Sequence, residues 1–221
     1  MLEFTHRLGG PYERATMLVI GLTGGIGTGK SAVSKILQQF GAEVIDADKV
    51  GHEAYLPGTD TWGEIVQAFG EGILGDTEEI NREKLAAVVF SDSKALGRLN
   101  IILHPRMYNM IEKHLSKLRG QGSDVAVVEA AVLLEANWVP LVDEVWVVTA
   151  PKEVVLTRLH GRVHFDERSA RARIGVQMID TERSKFADVV IENNGTLGEL
   201  ERSIGALWNE RVTRYQENRN R

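Results

Sequence analysis

Cysteine is absent from the 221-residue chain, which excludes disulfide frameworks, thiolate metal sites and cysteine nucleophiles together. Nothing in that composition asks for an oxidising compartment, so a cytoplasmic setting is expected. No apolar run approaches the roughly 20 residues of a membrane-spanning helix, and no membrane partner is expected. Basic residues do not predominate either. Lys and Arg number 26 against 31 Asp and Glu, a formal charge of −5, so the chain as a whole lacks the footprint of a nucleic-acid binder. Any anion site must be locally basic. Residues 1–16 lack the apolar centre of a signal peptide and read as a mobile extension.

The composition is that of an ordinary globular protein, 43% hydrophobic and 26% charged, of a length suited to one α/β domain with insertions. That domain is expected over residues 17–215, with 216–221 as a polar tail. Residues 17–22 (MLVIGL) form a short apolar run ending in glycines, as a strand buried on both faces does. Val33, Ile36, Leu37 and Phe40 follow at helical spacing. Residues 42–45 (AEVI) read as a second strand that delivers Asp46 and Asp48 at its carboxyl end. Further buried strands are expected at 125–128, 145–148 and 188–191. Helices are expected between them, one beginning at Pro151 and a closing one marked by Leu197, Leu200, Ile204, Leu207 and Val212. Such alternation predicts a doubly wound, mainly parallel sheet covered by helices on both sides. Its core would comprise residues 17–50 and 124–215, interrupted by a helical, acceptor-binding insertion over 51–123.

The chemistry begins at residues 24–31, GGIGTGKS, which fit G-x-x-x-x-G-K-[ST] between a strand and a helix. Glycines there allow the backbone to turn successive N–H groups inward around a phosphate at a helix N-terminus. Gly25, Ile26, Gly27, Thr28 and Gly29 supply the backbone of that nest. Lys30 should reach the β- and γ-phosphates, and the Ser31 hydroxyl should ligate the Mg²⁺ that bridges them. A plain strand-to-helix turn would need neither Lys30 nor Ser31. The expected ligands are therefore ATP and Mg²⁺.

A phosphate loop alone does not name a reaction. The chain has no N-K-x-D guanine-reading segment and no L-S-G-G-Q signature, which leaves a small-molecule kinase as the leading class. Asp46 and Asp48 lie two apart and would share one side of a continuing strand, at the edge where such sheets bind ligands. One of them could accept a proton from the acceptor hydroxyl, and either could instead cap a helix. Glu129 closes the apolar run VAVV, where an acidic residue can hold the Mg²⁺ water shell or cap a helix. Between residues 158 and 173 stand Arg158, Arg162, Arg168, Arg171 and Arg173, a locally basic lid expected over about 158–183. Arg158 and Arg162, four apart, repel on one helix unless an anion neutralises them. Arg162 is the candidate for stabilising the transferring phosphoryl group, and Arg158 for the nucleotide phosphates. Glu167 and Arg171 have the spacing of an ordinary ion pair.

The segments GLTGGIGTGKS, VIDAD, the His104–Pro105 pair, VVEAAVLLEANW and VVIENNG together resemble the dephospho-coenzyme A kinase family over residues 17 to about 208. GHEAYLPGT and AAVLLEANW are close in wording to the kinase domain of bifunctional animal coenzyme A synthases. The resemblance implies transfer of the ATP γ-phosphate to the ribose 3′-hydroxyl of dephospho-coenzyme A, the last step of coenzyme A synthesis, with Mg²⁺. It implies Asp48 as the carboxylate acting on the acceptor hydroxyl, with Asp46 beside it and His104 in the acceptor region. It also implies Asn194 at the adenine border, although a plain strand-to-helix turn is the stronger reading of Asn193 and Asn194. Pro105 is expected to start a helix, and a structural capping role for His104 remains open. Two departures stand out. Glu129 replaces the Asp of many members, and Val163 follows Arg162 where the family often has Asp.

Overall fold

The computed structural model describes residues 17–160 and 178–219. Five parallel strands form its sheet: β1 (Leu18–Gly24), β2 (Glu43–Asp46), β3 (Val125–Glu129), β4 (Glu144–Thr149) and β5 (Val189–Glu192), in the order β2-β3-β1-β4-β5. Each expected strand is present, with ends that differ by at most two residues. All seven residues of β1 are buried, which is why that strand reads as a continuous apolar run rather than an alternating one.

The alternation of side chains along each strand sorts them into two cores. Val19, Ala126, Val128, Val145 and Val147 face one layer, while Leu18, Ile20, Leu22, Val125, Val127, Trp146 and Val148 face the other. Two helices cover the first layer, α2 (Ala47–Ala54) and α5 (Ser93–Gly120). The second is covered by α1 (Lys30–Gln39) and α7 (Leu197–Leu207). A π-type turn, Trp208–Thr213, follows α7. Its wider turn returns Val212, five residues after Leu207, to the buried face at 0% exposure. Two aspartates pin the strand starts across the sheet. Asp143 Oδ2 accepts the Val19 N–H at 2.7 Å, and Asp188 Oδ2 accepts that of Val145 at 2.7 Å. Burial pushes the Asp143 carboxyl above its ordinary range, against the pull of that bond and of Arg119.

Between β2 and β3 lie α2, α3 (Asp60–Phe69), α4 (Arg82–Ser91) and α5, with a third apolar cluster of Ile65, Ile73, Ile80, Leu85, Val89, Ala95 and Leu99. Helix α5 serves two cores, because Ala95 and Leu99 belong to this cluster while Met107, Ile111 and Leu115 belong to the sheet's. Pro105 does not start it. The helix begins at Ser93, where the Asp92 carboxylate accepts the Lys94 N–H at 2.9 Å, and Pro105 sits inside. That cap and the two packed faces outweigh the cost of proline's missing N–H. Helix α6 (Lys152–His160) follows Pro151, whose carbonyl accepts the Val155 N–H. Among the described residues, no helix is long and apolar enough to cross a membrane.

Candidate active site

The strand register assembles the site. Glu129 is the partner of Asp46 on β2 and of Leu22 on β1, so the ends of three neighbouring strands present Asp46, Glu129 and the phosphate loop along one edge. Parallel strands lie about 4.8 Å apart, which sets the reach between these groups. This carboxyl edge is where open α/β sheets bind ligands.

The loop turns as its glycines allow. Gly27 and Gly29 have φ of 77° and 101°, conformations that side chains resist. At Gly29 a Cβ would also collide with the amide nitrogen of Asn193. Thr28 is buried and folds inward, its hydroxyl donating to Gly25 O at 2.9 Å. The Lys30 ammonium donates to Gly24 O at 2.9 Å and Gly25 O at 3.1 Å, so it lies across the mouth of its own loop. Ser31 Oγ donates to Glu129 Oε1 at 2.8 Å. The two expected magnesium residues thus meet, as a hydroxyl and a carboxylate, the hard oxygen donors that Mg²⁺ takes. Glu129 caps no helix, since turns follow β3. Among the described residues no group of three His, Cys, Asp or Glu could hold a metal, and phosphate oxygens of the donor would complete such a site.

Behind the loop, Arg158 does something the sequence did not suggest. Its guanidinium donates to Thr28 O at 3.3 Å and to Asn193 Oδ1 at 3.1 Å, while Asn193 Nδ2 donates to Thr28 O at 2.8 Å. The pair braces the outer side of the loop. Asn193, 5% exposed, is committed to that brace. Exposed Asn194 instead lines a cavity of about 270 Å³ with Glu192, Thr196 and Glu199.

On the side expected to face the acceptor, the shared strand face expected for Asp46 and Asp48 is not realised. Strand β2 ends at Asp46 and α2 begins at Ala47. Asp46 is the N-cap, its Oδ1 accepting the N–H groups of Asp48 at 3.0 Å and Lys49 at 3.3 Å. A cap satisfies two orphan donors at once, and that local gain ends the strand. Asp48 is exposed in the first turn of α2, its carboxylate making no hydrogen bond or ion pair with described residues. His104 on α5 meets the Trp138 ring edge-on at a centroid distance of 5.7 Å. Burial lowers the His104 pKa below its ordinary value, and the Glu135 charge partly restores it.

Arg162, Arg168, Arg171 and Arg173 lie outside the described residues. A second arginine, Arg183, which sequence reasoning did not single out, is fully buried beside the loop. It pairs with Asp180 Oδ1 at 2.8 Å and Glu135 Oε1 at 3.4 Å. A buried arginine flanked by acidic residues is a usable signal, but DTERSK reads as a solvated helix surface.

The dephospho-CoA kinase family model matches residues 18–199. A dephospho-CoA kinase of Geobacter sulfurreducens is 46% identical over 195 residues, which cover 88% of this chain and 99% of the relative. One from Carboxydothermus hydrogenoformans is 42% identical over 179 residues, 81% of this chain and 87% of its own. Among solved structures, a Thermus thermophilus protein superposes with a TM-score of 0.74 at 31% identity, covering 88% of this chain and 98% of that one. The dephospho-CoA kinase of Campylobacter jejuni gives 0.66 at 25% identity, with 88% and 97% covered. These relatives are bacterial, and the wording shared with animal synthases stays an observation about two short segments. A parallel sheet with a phosphate loop at its carboxyl edge, matched over nearly the whole of these relatives, makes this chain a member of the dephospho-CoA kinase family.

Proposed function

We propose that the chain transfers the γ-phosphoryl group of ATP to the ribose 3′-hydroxyl of dephospho-coenzyme A, giving coenzyme A and ADP. The observation that carries the reading is the meeting of the phosphate loop with Ser31 and Glu129 on one sheet edge, with Asp48, a carboxylate without a partner among the described residues, beyond β2. In this reading the loop amides of residues 25–29 and Lys30 grip the donor phosphates. Ser31 directly, and Glu129 through water, would hold Mg²⁺, which neutralises phosphate charge when bound. Asp48 orients the acceptor hydroxyl and takes its proton as the oxygen–phosphorus bond forms and the ADP oxygen leaves. Asp46 fixes the backbone of the turn on which Asp48 stands. His104 borders the acceptor, and Arg162 is proposed to stabilise the charge spread over the transferring group. Arg158 serves the nucleotide by holding the loop at Thr28. Asn194 borders the adenine. The cysteine-free composition supports a cytoplasmic setting.

The test is incubation with ATP, Mg²⁺ and dephospho-coenzyme A, with coenzyme A and ADP quantified by chromatography. Equimolar formation of both is expected. A folded protein that forms neither sinks the reading, and a preference for free nucleosides in an acceptor panel turns it into a nucleoside kinase.

A further inference from the structure

Arg183 ends a short helix, Asp180–Arg183, that precedes β5, and its side chain is 0% exposed. Its Nη1 donates to Asp180 Oδ1 at 2.8 Å and its Nη2 to Glu135 Oε1 at 3.4 Å, whereas its buried Nε has no partner among the described residues. The pair packs on the phosphate loop itself. A Cβ placed on Gly25 would lie 3.4 Å from Asp180 Oδ1 and 3.7 Å from Arg183 Nη1. In the other direction Glu135 occupies the turn after β3, accepts the Met178 N–H at 2.9 Å, and is the carboxylate whose charge acts on His104. One guanidinium therefore stands between the donor loop and the wall that carries His104.

Stability does not explain this arrangement well. Buried ion pairs seldom stabilise more than an apolar cluster of the same volume, and an orphaned buried N–H is a net cost. What the planar fork provides is geometry, since it holds two carboxylates from separate segments in one fixed relation. We propose that Arg183 is a further positioning residue for phosphoryl transfer, registering the acceptor wall against the phosphate loop through Glu135 and Asp180. The proposal rests on the transfer reading above, and acts through the loop rather than by touching substrate.

Lysine at this position keeps the charge but cannot bridge two carboxylates as a fork. Arg183→Lys should therefore bind ATP within about threefold of wild type by calorimetry. Its kcat with saturating substrates should fall about tenfold to a hundredfold, the scale of a small misalignment of reacting groups. A folded Arg183→Lys with wild-type kcat and only a lowered thermal midpoint overturns the proposal. If that variant does not fold, Glu135→Gln takes its place with the same two outcomes, because Gln keeps an acceptor for the Met178 N–H and loses the ion pair. Wild type is assayed in parallel on the acceptor panel. Should it phosphorylate another acceptor instead of dephospho-coenzyme A, the substrate reading fails while the kcat split is still measured with that acceptor.

Discussion

The phosphate loop and the side of the same sheet edge proposed to receive the acceptor are held by different means. Around the loop nearly every polar group is engaged. Thr28, Lys30, Ser31, Asn193 and Arg158 bond to the loop or to its neighbours, and Gly29 is hemmed in by an amide. Across the edge, Asp48 projects from a first helical turn without a partner among the described residues, and His104 is held mainly by packing against a ring. Phosphate is the same in every donor, so its cradle can be fixed in advance. A larger acceptor must enter and leave, and a side of the site built with fewer bonds costs less to rearrange.

Substitutions can break that comparison. The largest effect is expected at Lys30, since the whole loop is organised around it. Lys30→Ala should lower kcat/KM for ATP by about 10³-fold or more, on the scale of removing a group that stabilises transition-state charge, read by ADP release. Asp48→Asn should cost about 10²-fold in kcat, the lower range for a lost general base. Its acceptor affinity by calorimetry should change little, and unchanged turnover would remove Asp48 from the mechanism. Gly29→Ala forces a side chain into a positive-φ position against Asn193, a strain of about 1–3 kcal/mol. It should lower the urea midpoint and raise the KM for ATP, whereas Gly63→Ala, which has open space around it, should do neither.

The smallest effect concerns pH. Burial depresses the His104 pKa below its ordinary value, so the unfolded chain binds the proton more readily than the folded one. Its contribution to stability is complete above the unfolded value, near 6.5, and is lost as pH falls below it. His104→Gln should flatten the change in thermal midpoint between pH 7 and pH 5 by about 2 °C or less. An unaltered pH profile would show that His104 is not the group responsible.

The difference between the two sides also governs what could be read in the sequence. The phosphate loop is legible because its chemistry lies in eight consecutive residues with fixed spacing, and the strands because burial on both faces leaves unbroken apolar runs. The acceptor side was less so. Asp46 and Asp48 share one strand face only if β2 continues, whereas the Asp46 carboxylate captures two backbone donors and begins a helix. Local preference favours Pro105 as a helix start, yet packing on both sides of it carries α5 through. Arg158, Asn193, Glu135 and Arg183 were beyond sequence reasoning as a set. Apart from the Arg183–Asp180 pair, their bonds span 35 to 165 positions, and no periodicity records such contacts.

Helix α5 has a mechanical consequence. Its first turns are embedded in the core of the helices between β2 and β3, and its later turns in the core beneath the sheet. The two bodies share one axle, so the helical region cannot swing as an independent flap. Its softest point is the turn around Pro105, where the rod lacks a backbone bond. His104 is the adjacent residue, so a bend there would move the proposed acceptor wall directly, while the sheet and its phosphate loop stay still.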